Sequence, residues 1–203
     1  MTAFPKSEHS AQPSNAVGLI LMYHRIGEFQ SDPRGLAVSP RHFAEHLEVL
    51  RKHSQPQPLA QMVNAIQHQV LPWVKALAVT FDGGYADNFY NAAPLLNRYD
   101  VPATVFLTCG YIGGTGEFWW DALERILLGP EVLPAELHLT AAGRTSEWSL
   151  GEARHYAQDV RRSDRERFAA RYGTASGRYE LYRAVHRVLQ PLGEEERFIC
   201  STI

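Results

Sequence analysis

Three short, uninterrupted apolar runs set the frame of this chain: "VGLILMY" at 17–23, "KALAVTFD" at 75–82 and "VPATVFLTC" at 101–109. None alternates apolar with polar, so each reads as a strand buried on both faces. Amphipathic helices are expected between them. "SPRHFAEHLEVLRKH" (39–53) opens with Ser39 as N-cap and Pro40 at the first helical position, and Phe43, Leu47 and Leu50 share one face. "LAQMVNAIQHQ" (59–69), "ADNFYNAAPLLNRY" (86–99) and "FWWDALERILL" (118–128) also read as helices. This order predicts right-handed parallel βα units in an α/β fold. Ligand sites in such folds form at the C-terminal ends of the strands.

Past Gly129 the pattern changes. "ELHLTAAGRTSEWSL" (136–150) alternates around "AAGR" and predicts a β-hairpin. Residues 151–203 read as amphipathic helix, with Tyr179, Tyr182, Val185, His186 and Leu189 along one face. Residues 1–16 are polar and rich in Pro, Ser, Gln and Asn, a disordered tail.

The balance of 22 acidic against 20 basic residues gives a net charge of −2, which points to no nucleic-acid or membrane partner. The two distant cysteines, Cys109 and Cys200, suggest neither a disulfide scaffold nor a cysteine zinc site. The N-terminus has no apolar core for a signal peptide and no run reaches membrane-spanning length, so the expected location is cytoplasmic. Oligomeric state is not readable.

Three features fall at predicted strand ends: His24 after the first run, Asp82 after the second, and "YIGGTGEFWWD" (111–121) after the third. An acid just past a buried strand, followed by glycines that let the backbone approach closely, suits a catalytic carboxylate. It also suits a turn in which Asp82 caps the next helix and Gly84 is left-handed. His24 reads equally as a pocket residue or as a histidine bonded to nearby backbone. Tyr85, Trp119 and Trp120 are candidate ligand contacts, and the aromatics at the start of the 118–128 helix also suit packing into the core. Asp87 reads as a first-turn acid that favours the helix dipole.

"AVTFDGGYADN" (78–88) resembles the first motif of the polysaccharide deacetylases, carbohydrate esterase family 4, which normally reads Thr-Phe-Asp-Asp-Gly. "LILMYHRI" upstream and "PLLNRYDVPATVFLTCGYIGG" downstream are similar to the same family in order and spacing. The resemblance covers roughly 17–128 and implies the N-terminal half of a deformed (β/α) barrel. Residues 129–203 would then be an inserted hairpin and helices, apparently truncated.

The resemblance also implies hydrolysis of a carbon–nitrogen amide bond on an N-acylated carbohydrate, assisted by a divalent metal, usually zinc. The family's general base maps onto Asp82. Its neighbouring metal-ligand acid maps onto Gly83, which has no side chain to coordinate with. The family's His-Ser/Thr-x-x-His ligand pair has no counterpart. His42 and His46 have the spacing but lie on the early 39–53 helix and read as partly exposed helix residues. The later Arg and His motifs are also unmatched. Gly83 reads as a point change and the missing histidines as missing length, left by a frameshift, a premature stop or fragmentation, with a natural short form as the alternative. The expectation is therefore a hydrolase-family chain with no metal ligand and little or no activity as written, or a non-catalytic carbohydrate-binding or regulatory pseudoenzyme.

Overall fold

The computed structural model describes residues 17–68, 75–114, 116–169, 176–193 and 196–197. The expected tail at 1–16 lies outside the described residues, as do Cys200 and the last part of the 59–74 segment. The chain divides into two compact units: Met1–Glu28 with Ala37–Thr108, and Phe29–Leu36 with Cys109–Ile203.

The first unit runs β1 (Val17–Tyr23), β2 (Arg25–Ile26), β3 (Ala37–Val38), α1 (Pro40–His53), β4 (Gln55–Pro56), α2 (Leu59–Gln67) and β5 (Lys75–Gly83). A π-helical turn at Asn88–Ala92 then leads into α3 (Ala93–Tyr99) and β6 (Ala103–Leu107). β5 is the spine of a parallel sheet. β1 pairs with it from Val17↔Lys75 to Tyr23↔Phe81, β4 pairs at Ala76 and Leu77, and β6 pairs from Val79↔Ala103 to Gly83↔Leu107.

Because side chains alternate along a strand, this register decides what each face carries. One face presents Leu21, Val79 and Ala103, then Tyr23 and Phe81, to Phe43 and Leu47 of α1 and to Leu95 and Leu96 of α3. The other presents Ala76 and Ala78 to Met62 of α2. A Cβ on Gly18 would lie only 2.4 Å from Met62 Cε, so glycine at that position lets α2 sit close. Farther along this second face stand Met22, Thr80 and Thr104, and then Asp82 beside Phe106.

The expected caps are in place. Ser39 Oγ accepts the His42 N–H at 3.2 Å, and Arg51, Lys52 and His53 occupy the last turn of α1, where the helix dipole favours cations. α3 stops at Asp100, left-handed at φ 52°, and the Val101 N–H reaches back to Leu96 O at 3.0 Å. Among the described residues, no strand pairs with the outer edge of β1 or β6. Leu19, Ile20, Met22, Val105, Phe106 and Leu107 are exposed along those edges.

The second unit runs α4 (Trp119–Leu128), β7 (Glu136–Ala141), β8 (Arg144–Ser149), a 3₁₀ turn at Gly151–Arg154, α5 (Gln158–Ala169) and α6 (Gly177–Leu189). β7 and β8 form an antiparallel hairpin whose turn residues Ala142 and Gly143 both have positive φ, 49° and 72°, as a type I′ turn requires. The expected division at 128 does not coincide with this unit. α4 belongs to it, because Leu123, Leu127 and Leu128 share a core with Leu133, Leu139, Tyr179 and Tyr182. Residues 29–36 belong to it as well: Ser31 Oγ donates to Glu124, and the Arg34 guanidinium lies 4.9 Å above the Trp120 ring.

Two buried charges organise the helices of this unit. Arg178, 1% exposed, donates to the carbonyls of Leu127, Pro130, Ala153 and Arg154 at 2.5–3.2 Å. Asp164 accepts from Tyr156 Oη at 3.1 Å and from the Ser176 amide and hydroxyl at 3.1 and 2.5 Å, tying α5 to the start of α6. No described helix is long and apolar enough to cross a membrane.

Candidate functional site

Asp82 stands on the penultimate position of β5, partly exposed, and its carboxylate has no hydrogen bond or ion pair among the described residues. The strand ends in two left-handed glycines, Gly83 at φ 96° and Gly84 at φ 76°. Both conformations favour glycine, and Gly84 also lacks room for a Cβ. At Gly84 it would meet Leu107 Cδ2 at 2.6 Å and the Leu107 backbone at 3.3 Å, so glycine lets the turn lie against β6. At Gly83 it would meet the Tyr85 ring at 3.1 Å. Thr108 Oγ1 donates to Gly83 O at 3.3 Å and holds the turn from the far side.

The helix after this turn grips the segment after β1. Asp87 Oδ1 accepts the Ile26 N–H at 2.9 Å, and Asp87 Oδ2 pairs with Arg25 Nε at 3.1 Å. Asn88 Nδ2 donates to His24 O at 2.8 Å and Asn91 Nδ2 to Ile26 O at 2.7 Å. Arg25 also lies 4.5 Å above the Tyr85 ring. His24 is thus fixed through its own backbone by the element that follows Asp82, while its ring, partly exposed, makes no hydrogen bond among the described residues. Sequence reasoning missed this clamp. Its signal was the Asp-Asn-x-x-Asn spacing at 87–91, which presents three polar groups on one face; reading Asp87 only as a dipole partner overlooked its two tertiary contacts.

The aromatic candidates are distributed over both units. Tyr85 lies in the first, beside Gly83 and under Arg25. Trp119 and Trp120 lie in the second and have occupied ring faces. Trp119 lies 4.8 Å from the His186 ring and 4.8 Å from the Arg197 guanidinium. Trp120 stacks on Phe118 at 4.7 Å and receives Arg34. Burial, Arg34 and Arg197 together hold the His186 pKa below its ordinary value.

The described residues do not fit a divalent ion. Among the described residues, no three His, Cys, Asp or Glu side chains converge to hold one. His46 Nδ1 is instead 3.2 Å from Tyr23 Oη, and His42 is exposed at the capped start of α1.

Residues 72–132, which include β5, the Asp82 turn and α4, match the polysaccharide deacetylase family. A protein of Bacillus subtilis (strain 168) that bears the polysaccharide deacetylase name, YxkH, is 33% identical over 98 residues, or 46% of this chain and 33% of YxkH. The chain therefore spans about a third of that relative's length. Two solved structures are also similar. The Streptococcus pyogenes deacetylase PplD is 26% identical over 54% of this chain and 50% of its own, with a TM-score of 0.43. IcaB from Ammonifex degensii is 28% identical over 55% and 49%, also at 0.43.

Proposed function

We propose, from a chain whose residues 72–132 match the polysaccharide deacetylases, that the first unit is a partial (β/α) barrel that recognises N-acylated carbohydrate at the ends of β1 and β5. In this reading Asp82 holds the general-base position of a hydrolase acting on carbon–nitrogen amide bonds. The hairpin and helices after α4 are an insertion in that framework. These 203 residues hydrolyse no amide by themselves.

The observation that supports inactivity is Gly83. The acid expected next to Asp82 is a glycine with φ of 96°, and no set of side chains among the described residues suits a metal ion. A lone carboxylate has no polarised carbonyl and no activated water to work with. What remains is an unpartnered acid, His24 and Tyr85 on a clamped frame, which suits binding.

The test is an acetate-release assay on chitooligosaccharides, with and without added Zn²⁺, run beside calorimetry on the same protein. We expect no release above a heat-killed control and a saturable heat of binding that ignores chelator. Release abolished by both EDTA and Asp82→Asn would overturn the inactive reading. Absence of any sugar binding would overturn the recognition reading.

A further inference from the structure

The β5–β6 register pairs Asp82 directly with Phe106, so the two side chains leave neighbouring strands on the same face of the sheet. Phe106 is 50% exposed, and Met22, one rung back on β1 and on the same face, is 60% exposed. On the opposite face α1 and α3 cover the middle of the sheet and leave Leu19, Val105 and Leu107 exposed at its edges. On the Asp82 face Met62 of α2 packs on Ala76 and Ala78, and Thr80 between them and Asp82 is buried. The open part of the Asp82 face therefore mixes an acid, the hydroxyl of Thr104, an aromatic ring and a thioether within two rungs of the ladder.

That mixture discriminates among occupants. A lipid chain would bury the carboxylate against hydrocarbon, which is costly without a partner. A pyranose has an apolar C–H face and a rim of hydroxyl and amide donors. Its C–H groups carry the positive charge that the negative face of an aromatic ring attracts.

We propose that Phe106 is a specificity residue of the Asp82 site: its ring stacks under the apolar face of an N-acylated pyranose whose polar donors reach the Asp82 carboxylate. This rests on the carbohydrate reading above and moves the aromatic platform from the tryptophans of the second unit to a residue beside the acid. The apolar run "VPATVFLTC" concealed it, because a strand read as buried on both faces has no place for an exposed ring.

The experiment uses the full chain, chitotriose as probe, calorimetry for affinity and saturation-transfer NMR for the sugar protons in contact. Phe106→Ala is expected to weaken binding by about tenfold and to remove transfer to the ring C–H protons, while Phe106→Tyr binds within about twofold of the parent. Phe106→Leu keeps apolar bulk without a π face and should behave like Phe106→Ala, which separates stacking from packing. Thermal melts verify folding, and the half-exposed position keeps all three variants close to the parent. Parent-like affinity and transfer in Phe106→Ala would overturn the proposal, as would a change in light-scattering mass without loss of sugar binding. If the parent binds no chitotriose, the carbohydrate reading falls together with this one. Binding that is indifferent to Phe106 removes this inference alone.

Discussion

Asp87 accepts the Ile26 amide at 2.9 Å with one carboxylate oxygen and meets Arg25 Nε at 3.1 Å with the other. One side chain thereby fastens the segment that follows His24 to the helix that follows Asp82. Asp87→Ala removes a charged acceptor from a largely buried amide and should cost about 2 kcal/mol. Asp87→Asn keeps an acceptor for Ile26 and loses only the pairing with Arg25, so it should cost less than half as much. Urea denaturation of both variants decides the order, and equal losses would mean that the amide bond contributes nothing.

Gly83→Asp would supply the acid that the family motif has at this place, but the backbone resists it. A left-handed φ of 96° and a Tyr85 ring 3.1 Å from the new Cβ predict a destabilisation of about 1–3 kcal/mol. Combining it with Tyr85→Ala should recover the steric part and leave the backbone part. Melting temperatures of the two single variants and the double variant test this. A Gly83→Asp protein as stable as the parent would show that the turn relaxes freely.

Arg178→Met keeps much of the side-chain volume and orphans the four carbonyls that the guanidinium serves. Unsatisfied buried carbonyls cost more than the bonds themselves contribute, and a loss of about 3–4 kcal/mol is expected. Three of the four tryptophans, Trp119, Trp120 and Trp148, lie in the second unit, so most of the tryptophan fluorescence reports this loss.

His186 gives the second unit an acid limb. Burial, Arg34 and Arg197 depress its folded pKa, so below about pH 6.5 the unfolded chain binds a proton that the folded chain refuses. Stability is therefore full above that pH and is lost as pH falls toward the depressed folded value, after which it levels off. His186→Gln should flatten this limb in a pH series of urea midpoints. An unchanged limb would assign it to other groups.

The parallel strands, most helices and the place of Asp82 were legible in the sequence, because apolar runs and helical spacing are written locally. Burial on both faces holds for β5 alone. Leu19, Ile20 and Met22 of β1 and Val105, Phe106 and Leu107 of β6 are exposed where those strands lack an outer neighbour among the described residues. Ser39 and Pro40 announced α1, and "AAGR" announced a turn that the β7–β8 hairpin makes. What escaped is written at long range. Ser31 with Glu124 and Arg34 with Trp120 attach a polar loop to the second unit across about ninety residues of sequence, and no periodicity encodes such pairs. Gly83 read as a one-residue lesion. Its φ shows a turn shaped around glycine, a fact about backbone torsion that composition does not express. His42 and His46 had the spacing of a metal pair, but a cap and a tyrosine hydroxyl account for their neighbourhood.

The chain leaves the first unit after Glu28, returns at Ala37 and leaves again after Thr108. The units are therefore not modules in the genetic sense. A stop codon at 108 would remove most of the second unit yet strand residues 29–36, including the hydroxyl of Ser31 and the guanidinium of Arg34, without Glu124 or Trp120. Recombination that exchanged only residues 109–203 would have to match an eight-residue segment encoded far upstream. Selection on the second unit thus reaches into the middle of the first, between the turn that bears His24 and the helix that begins at Pro40.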